Sequence, residues 1–313
     1  MDKVTQLLKQ IGKPNLKYLG KGMQSIVFEI DAQKVLKVYG EDIGVKNLLR
    51  LKTFYESLDT INISFETPLI SEVKILNGLI LVTEKRLLGT CPEKNFLQKM
   101  SQDELKDYSI KYLNALFEIK NIDTNFLQTA EPLDLSGQFF ECKKYDNWID
   151  LLTSNVERKY HESESNFIAQ INNANQVYEK IKVRISQIQF NDQKLIHGDF
   201  CPANTMVDNK FTTLAVLDFG ILTTVGDPIF DIALGWVFVD MYGEILTLDI
   251  KTYLEPMILE RITLQEKERL YLYVLVYSFI SANMYATNDP NDGHFQWCIQ
   301  NLNNLDVLEK AGI

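Results

Sequence analysis

Two carboxylates and a carboxamide stand close together in His197-Gly198-Asp199-Phe200-Cys201-Pro202-Ala203-Asn204 and, one short hairpin later, Asp218-Phe219-Gly220. Transfer of a phosphoryl group from a nucleotide asks little covalent chemistry of a protein. It needs a group that orients the attacking hydroxyl, and hard oxygen ligands for a magnesium ion that also takes substrate phosphates. Asp199 fits the first part, and Asn204 and Asp218 fit the second. The intervening residues can bring them to one place: Leu195-Ile196 leads into the loop, Thr205-Met206-Val207 reads as a short strand, Asp208-Asn209 as a turn, and Leu214-Ala215-Val216-Leu217 as the returning strand. Singly, each polar residue has an ordinary alternative, because Asp and Asn in loops satisfy nearby backbone groups. The length and constraint of the joint pattern favour the chemical reading of the set.

On these residues the chain resembles the aminoglycoside phosphotransferase and choline kinase group of small-molecule kinases, which share the protein-kinase fold. That family carries His-Gly-Asp where protein kinases carry His-Arg-Asp. Its Gly-Asp-Pro, two residues, Asp-Leu-Ala is matched by Gly226-Asp227-Pro228-Ile229-Phe230-Asp231-Ile232-Ala233 with one conservative change. The resemblance implies an α+β, bilobal protein-kinase-like fold. A small β-rich N-terminal lobe for the nucleotide would cover residues 1–89, with the connector between lobes at about 83–89, and a larger helical C-terminal lobe with the catalytic loop and acceptor site would cover 90–313. It also implies ATP (or GTP) and Mg²⁺ as cofactors, Asp231 as a buried helix carboxylate that holds the backbone of the catalytic loop, and His197 as part of that loop's structure. Leu88-Gly89-Thr90 resembles the turn at the end of the family's connector. Adenine would bond to backbone groups of the connector, so its side chains do not tell ATP from GTP.

The elements that must grip the nucleotide lie upstream. Strands predicted at 16–19 and 26–30 flank Gly20-Lys21-Gly22-Met23-Gln24-Ser25, and another returns over 35–39. Glycines let backbone N–H groups approach phosphates. Only Gly20 and Gly22 are present, with Ser25 where a third glycine would stand, and taken alone the segment reads more readily as a plain β-turn. Lys37, in Val35-Leu36-Lys37-Val38-Tyr39, either points to solvent by simple alternation or reaches an anion inside. Resemblance to the family's third strand favours the second, with Lys37 binding the α- and β-phosphates as a point charge. Kinases fix this lysine with a glutamate on the next helix, here predicted over 45–58. The matching position holds Leu51 or a near neighbour and Glu56 is the nearest acid, so the partner of Lys37 is left open.

Further strands are expected over 71–76 and 79–83, joined by Asn77-Gly78, a type I′ hairpin signal. Beyond the connector the chain turns helical. Ser101-Gln102-Asp103-Glu104 is a capping box, and Leu105, Tyr108, Tyr112 and Leu116 follow at helical spacing. Residues 121–164 are polar and mixed, with a short ordered element expected around Trp148 and Leu151-Leu152. Phe167, Ile171, Ala174, Tyr178, Ile181, Ile185 and Ile188 form a heptad-like stripe that predicts one long core helix in preference to a coiled-coil dimer. Helices are expected over 231–242, 250–261, 264–285 and 293–310.

A hydrophobic content of 46% in 313 residues is enough for a substantial core, and the net charge of -10 argues against nucleic acid or an anionic membrane as the main partner. The acidity suits a cationic ligand, although a solvated acidic surface is its commoner cause. Cys91, Cys142, Cys201 and Cys298 have no paired spacing, which predicts reduced thiols in a cytoplasm rather than disulfides or a zinc site. Cys201 lies in the loop with no activating base beyond His197. The N-terminus lacks an apolar signal core, and the apolar run at 270–280 is too short to span a bilayer. A soluble cytoplasmic protein, monomeric or weakly dimeric, is expected.

The leading functional expectation is a kinase that moves the γ-phosphoryl of a nucleoside triphosphate to a hydroxyl of a small molecule, an aminoglycoside or related antibiotic. Choline, homoserine, sugar and macrolide kinases share the same motifs. A protein kinase is disfavoured, because Gly226-Asp227-Pro228 follows Gly220 too soon for an activation loop. A catalytically inactive nucleotide-binding module is the alternative from another class, and the presence of Asp199, Asn204 and Asp218 together speaks against it. Candidate acids for a cationic acceptor are Asp289 and Asp292, with Asp240 and Glu244; each otherwise reads as a solvated turn or helix surface.

Overall fold

The computed structural model describes residues 3–22, 24–40, 43–92, 94–123, 132–133, 135, 141, 143–239, 241–243, 250–285 and 289–313. Cys142, Asp240 and Glu244 lie outside the described residues.

Helix α1 (Lys3–Gln10) precedes a five-stranded antiparallel sheet of β1 (Lys17–Lys21), β2 (Ser25–Glu29), β3 (Lys34–Tyr39), β4 (Ile70–Leu76) and β5 (Leu79–Lys85), ordered β1-β2-β3-β5-β4. Alternation along the strands divides its two faces. Leu36, Val38, Leu79 and Leu81 form a small core with Leu7 and Leu8 of α1. Tyr39, Ile80 and Val82 face the other way, into the main core that also takes Leu48, Leu51, Phe54, Tyr55 and Leu58 of α2 (Val45–Leu58). Lys37 stands opposite Val82 in the β3–β5 register. It therefore belongs to the inward face, and its side chain is only 14% exposed. The β4–β5 turn has positive φ at both Asn77 and Gly78, as a two-residue hairpin of this kind requires.

The rest of the chain is mostly helical: α3 (Lys94–Leu97), α4 (Gln102–Ile119), α5 (Trp148–Glu162), α6 (Glu164–Gln170), α7 (Ala174–Ser186), α8 (Ile229–Phe238), α9 (Ile250–Leu259), α10 (Leu264–Ser281), α11 (Gly293–Leu302) and α12 (Leu305–Lys310). Two small antiparallel pairs interrupt it, β6 (Lys194–Ile196) with β9 (Thr224–Gly226) and β7 (Thr205–Val207) with β8 (Thr213–Val216). The architecture is the expected bilobal one, a small sheet-based part and a larger helical part. Ser101 and Glu104 form the reciprocal capping box at the start of α4. All ten residues of α8 are buried, as is α10 from Leu270 to Ser281, so these two helices are apolar all round because protein surrounds them. No helix among the described residues is long and apolar enough to cross a membrane.

Three helical expectations need correction. The stripe from Phe167 to Ile185 does face the core, but Asn173 takes a left-handed φ of 54° and splits the predicted single helix into α6 and α7. Asn is one of the few residues besides Gly that visit that conformation routinely as single residues. The element at Trp148 is no short piece: Asn147 accepts a hydrogen bond from the Asp150 N–H and caps a 15-residue helix. The last predicted helix is two, with Asn304 capping α12.

Candidate active site

The loop between β6 and β7 is held from below by α8. Asp231, fully buried, accepts hydrogen bonds from the backbone N–H groups of His197 (2.5 Å) and Gly198 (2.8 Å). Burial pushes its carboxyl up to about 7, and the two N–H donors pull the other way. Gly198 has a φ of +84°, and a Cβ there would lie 2.2 Å from Cβ of Leu222 and 2.6 Å from its carbonyl oxygen. No side chain fits, which is why the loop reads His-Gly-Asp. The His197 imidazole packs at a tilt of 43° against Phe219, ring centroids 4.1 Å apart, its Nε2 lies 2.8 Å from the Leu217 carbonyl, and its Nδ1 lies 3.1 Å from the Asp199 N–H. Burial pushes it down to about 4. The neutral ring with its proton on Nε2 thus donates to Leu217 and accepts from Asp199, tying the two acid-bearing segments together.

Asp199 is joined to Asn204, whose Nδ2 donates to both the backbone oxygen and Oδ2 of Asp199, each at 2.8 Å. The β7–β8 hairpin then closes with the Leu217 N–H on the Asn204 carbonyl at 2.8 Å, which delivers Asn204 and Asp218 to the same end. Asp218 has a left-handed φ of 53°, uncommon outside Gly though Asp is enriched there. Phe219 beside it packs on Phe54 and Tyr55 of α2 at 5.4 and 6.1 Å. The enclosing protein pushes the Asp199 carboxyl up to about 7, with Asn204 opposing and Asp218 adding to the rise. A carboxylate near 7 is matched to taking a proton at neutral pH.

Lys37 reaches across from the sheet. Its Nζ lies 3.0 Å from Oδ1 of Asp218 and 3.1 Å from Oε2 of Glu84 on β5. Burial works against the charged amine, and the Asp218 and Glu84 carboxylates outweigh it, so its pKa is raised; Lys37 in turn holds Asp218 below the ordinary carboxylate range. A cleft of about 410 Å³ is lined by Gly20, Val27, Val35, Lys37, residues 84–89, Met206 and Asp218. A second space of about 240 Å³ is lined by Gly22, Ser25, Lys37, Leu51, Tyr55, Asp199, Asn204 and Asp218. The two share Lys37 and Asp218, so together they gather all seven predicted site residues. The Gly22 N–H bonds the Ser25 carbonyl at 2.9 Å and closes the glycine hairpin above them.

The sequence profile of the phosphotransferase enzyme family matches residues 88–257, more than half of the 313 residues. The chain belongs to that family. It is a phosphotransferase, and solved structures of similar fold span nearly its whole length. A thermostable mutant of aminoglycoside phosphotransferase APH(4)-Ia in its apo form superposes with a TM-score of 0.69 at 17% identity, over 98% of this chain and 99% of that one. The gentamicin complex of APH(2'')-IIa gives 0.60 at 19% identity over 99% and 98%. ADP-bound aminoglycoside phosphotransferase APH(2'')-Ib gives 0.58 at 20% identity over 96% and 97%. At such identities the likeness is one of fold. A search of curated protein sequences gives no match.

Glu84 is the site residue of this phosphotransferase that sequence reasoning missed. The signal was there in the alternation Ile80, Val82, Glu84, but it speaks only once the β3–β5 register is known. Burial pushes the Cys201 thiol well up, which makes it a poor nucleophile. Among the expected acceptor acids, Asp292 caps α11 by accepting from the His294 and Phe295 N–H groups, and Asp289 accepts from the Asn291 N–H. Tyr285 lies near the catalytic loop: burial, then the charges of Asp199 and Asp292, push its hydroxyl up to about 12.

His294 packs beside this region, with Nδ1 2.8 Å from the Tyr242 hydroxyl and Nε2 3.0 Å from Oγ of Ser281, and burial pushes it down to about 4. An unfolded histidine takes its proton near 6.5, so the stability His294 contributes at neutral pH is lost as pH falls from there towards 4. Asp199 and Asp231, pushed up to about 7, act in the opposite direction over the same range. A comparison of wild type with His294→Gln isolates the histidine. Urea unfolding should show the difference in stability between them shift by about 2 kcal/mol from about pH 7.5 to about pH 5, to the wild type's disadvantage. An unchanged difference would mean His294 titrates alike in both states.

Proposed function

We propose that this phosphotransferase moves the γ-phosphoryl group of ATP or GTP to a hydroxyl of a small molecule, with aminoglycosides as the acceptor class and the cytoplasm as its compartment. The observation that carries the reading is the convergence of Asp199, Asn204, Asp218 and Lys37 where two adjoining clefts meet. Asp199 orients the acceptor hydroxyl and takes its proton. Lys37 holds phosphate oxygens, and the Gly20–Ser25 hairpin covers them. The connector expected at about 83–89 lines, through residues 84–89, the wall on which the base rests.

Asn204 and Asp218 would hold magnesium, which neutralises phosphate charge when bound. The donor set fits. Asp218 is half exposed and kept ionised by Lys37, and Asn204 spends its amide nitrogen on Asp199, which leaves its side-chain oxygen for a cation. Among the described residues no three His, Cys, Asp or Glu side chains converge as a cage. That suits an ion that completes its shell with phosphate and water oxygens.

The acceptor class rests on three supports: the net charge of -10, the electrostatic proximity of Tyr285 to both Asp199 and Asp292, and fold likeness to structures that include a gentamicin complex and a complex of GDP and kanamycin. The test is a screen of aminoglycosides, macrolides, choline, homoserine and amino sugars with purified protein and magnesium nucleotide, with products identified by mass. For a polycationic acceptor the Debye length, about 10 Å at 0.1 M salt and about 3 Å at 1 M, makes encounter salt-sensitive. Acceptor KM should climb about tenfold over that range while nucleotide KM moves less. A flat salt response with a neutral acceptor overturns the aminoglycoside reading and leaves phosphoryl transfer intact.

A further inference from the structure

A buried ammonium that must point one way needs a fixed counter-charge, and α2 does not supply one. The α2 side chains that line the space beside Lys37 are Leu51 and Tyr55, and Glu56 is half exposed and pairs with Lys52. Leu51 is 2% exposed and so fills the place with hydrocarbon.

The carboxylate comes from β5. Lys37 is registered with Val82, and Val35 with Glu84, so Glu84 is the diagonal neighbour of Lys37 on the same face. Its Oε2 lies 3.1 Å from Nζ of Lys37. Glu84 is 3% exposed, and its Oε1 has no hydrogen-bond partner. A carboxylate held in the interior with one oxygen unpaired is costly, and the lysine is what offsets it. Asp218 also touches Lys37, but it is half exposed and is the group a magnesium ion would claim. Glu84 has no competing partner of that kind.

We propose that Glu84 is the positioning residue for Lys37: the partner that kinases place on the helix after the lysine strand sits, in this chain, on the adjacent strand of the same sheet. The proposal rests on the reading of Lys37 as a phosphate-binding group. It fits the geometry better than Glu56, the acid considered from sequence, since a partner on the neighbouring strand needs no help from a helix.

The test is a cycle of wild type, Glu84→Gln, Lys37→Met and the double variant. It is read by equilibrium titration with N-methylanthraniloyl-ADP and magnesium, and separately by thermal unfolding. Glutamine keeps the size of Glu84 and removes its charge. Glu84→Gln should weaken nucleotide binding about 10- to 100-fold, and in the Lys37→Met background it should weaken it by no more than about threefold further, because Glu84 acts through Lys37. Lys37→Met leaves Glu84 buried and unpaired and should lower Tm, and adding Glu84→Gln should recover part of the loss. Where Lys37→Met fails to fold, Lys37→Gln, which also lacks the charge, closes the same cycle. Losses of affinity that multiply in the double variant, or a Glu84→Gln protein within about threefold of wild type, overturn the proposal. A wild type that binds no nucleotide overturns the reading of the cleft itself, which sets that failure apart from indifference to Glu84.

Discussion

Asp199→Ala should lower kcat by about two to four orders of magnitude, as for loss of a general base or positioning carboxylate, while nucleotide affinity stays within about threefold of wild type. The separation follows from where Asp199 sits. It lines the smaller space with Asn204 and Asp218 and is absent from the lining of the larger cleft. The loop that carries it is held by Asp231 through the His197 and Gly198 N–H groups, and by the Thr223 hydroxyl on the His197 carbonyl at 2.7 Å. None of these bonds involves the Asp199 side chain, so truncating it leaves the loop in place. The variant does release Asn204 from one of its two bonds, and Asp199→Asn keeps a partner there without the base. Both should be slow in single-turnover assays with the true acceptor. Turnover of Asp199→Ala near the wild-type rate would reject the central assignment.

Asp218→Ala should abolish the magnesium dependence of nucleotide binding. Asn204 is a neutral ligand and cannot by itself offset a divalent charge. Affinity for the magnesium nucleotide should fall by about 100-fold or more, because even the outer partners of metal ligands are worth about 10- to 100-fold. The same substitution removes one of the two carboxylates on Lys37, so nucleotide measured in excess chelator should change far less or bind slightly better. Titration of wild type and variant with and without magnesium separates the two effects. Equal magnesium dependence in the two proteins would remove Asp218 from the metal.

The catalytic loop was legible in the sequence because its chemistry is local: His197 to Asn204 and Asp218 to Gly220 are two short runs joined by one hairpin, and short-range turns and alternation suffice to place them. Asp231 was equally readable through its motif. Glu84 was not, because its meaning depends on pairing between strands far apart in sequence, and a one-residue change of register would have turned it outward. Nor was the break at Asn173, where a regular apolar stripe continues across a residue whose backbone leaves the helix. Hydrophobic periodicity reports which side faces the core, and α6 and α7 present the same side. The weak glycine hairpin became interpretable only when Gly20, Gly22 and Ser25 were found around Lys37.

In kinases whose lysine is anchored by a helix, swinging that helix outward dismantles the phosphate grip, and activity is thereby put under external command. Lys37 and Glu84 are instead borne by two strands locked by six registered pairs, from Lys34 with Lys85 to Tyr39 with Ile80. Displacing α2 would disturb the packing of Phe219 but would leave the spacing of lysine and glutamate untouched. On the proposed reading of Lys37, the sheet alone then sets the spacing of its charge and counter-charge, and α2 bears on the donor side through Phe219 and the neighbouring Asp218.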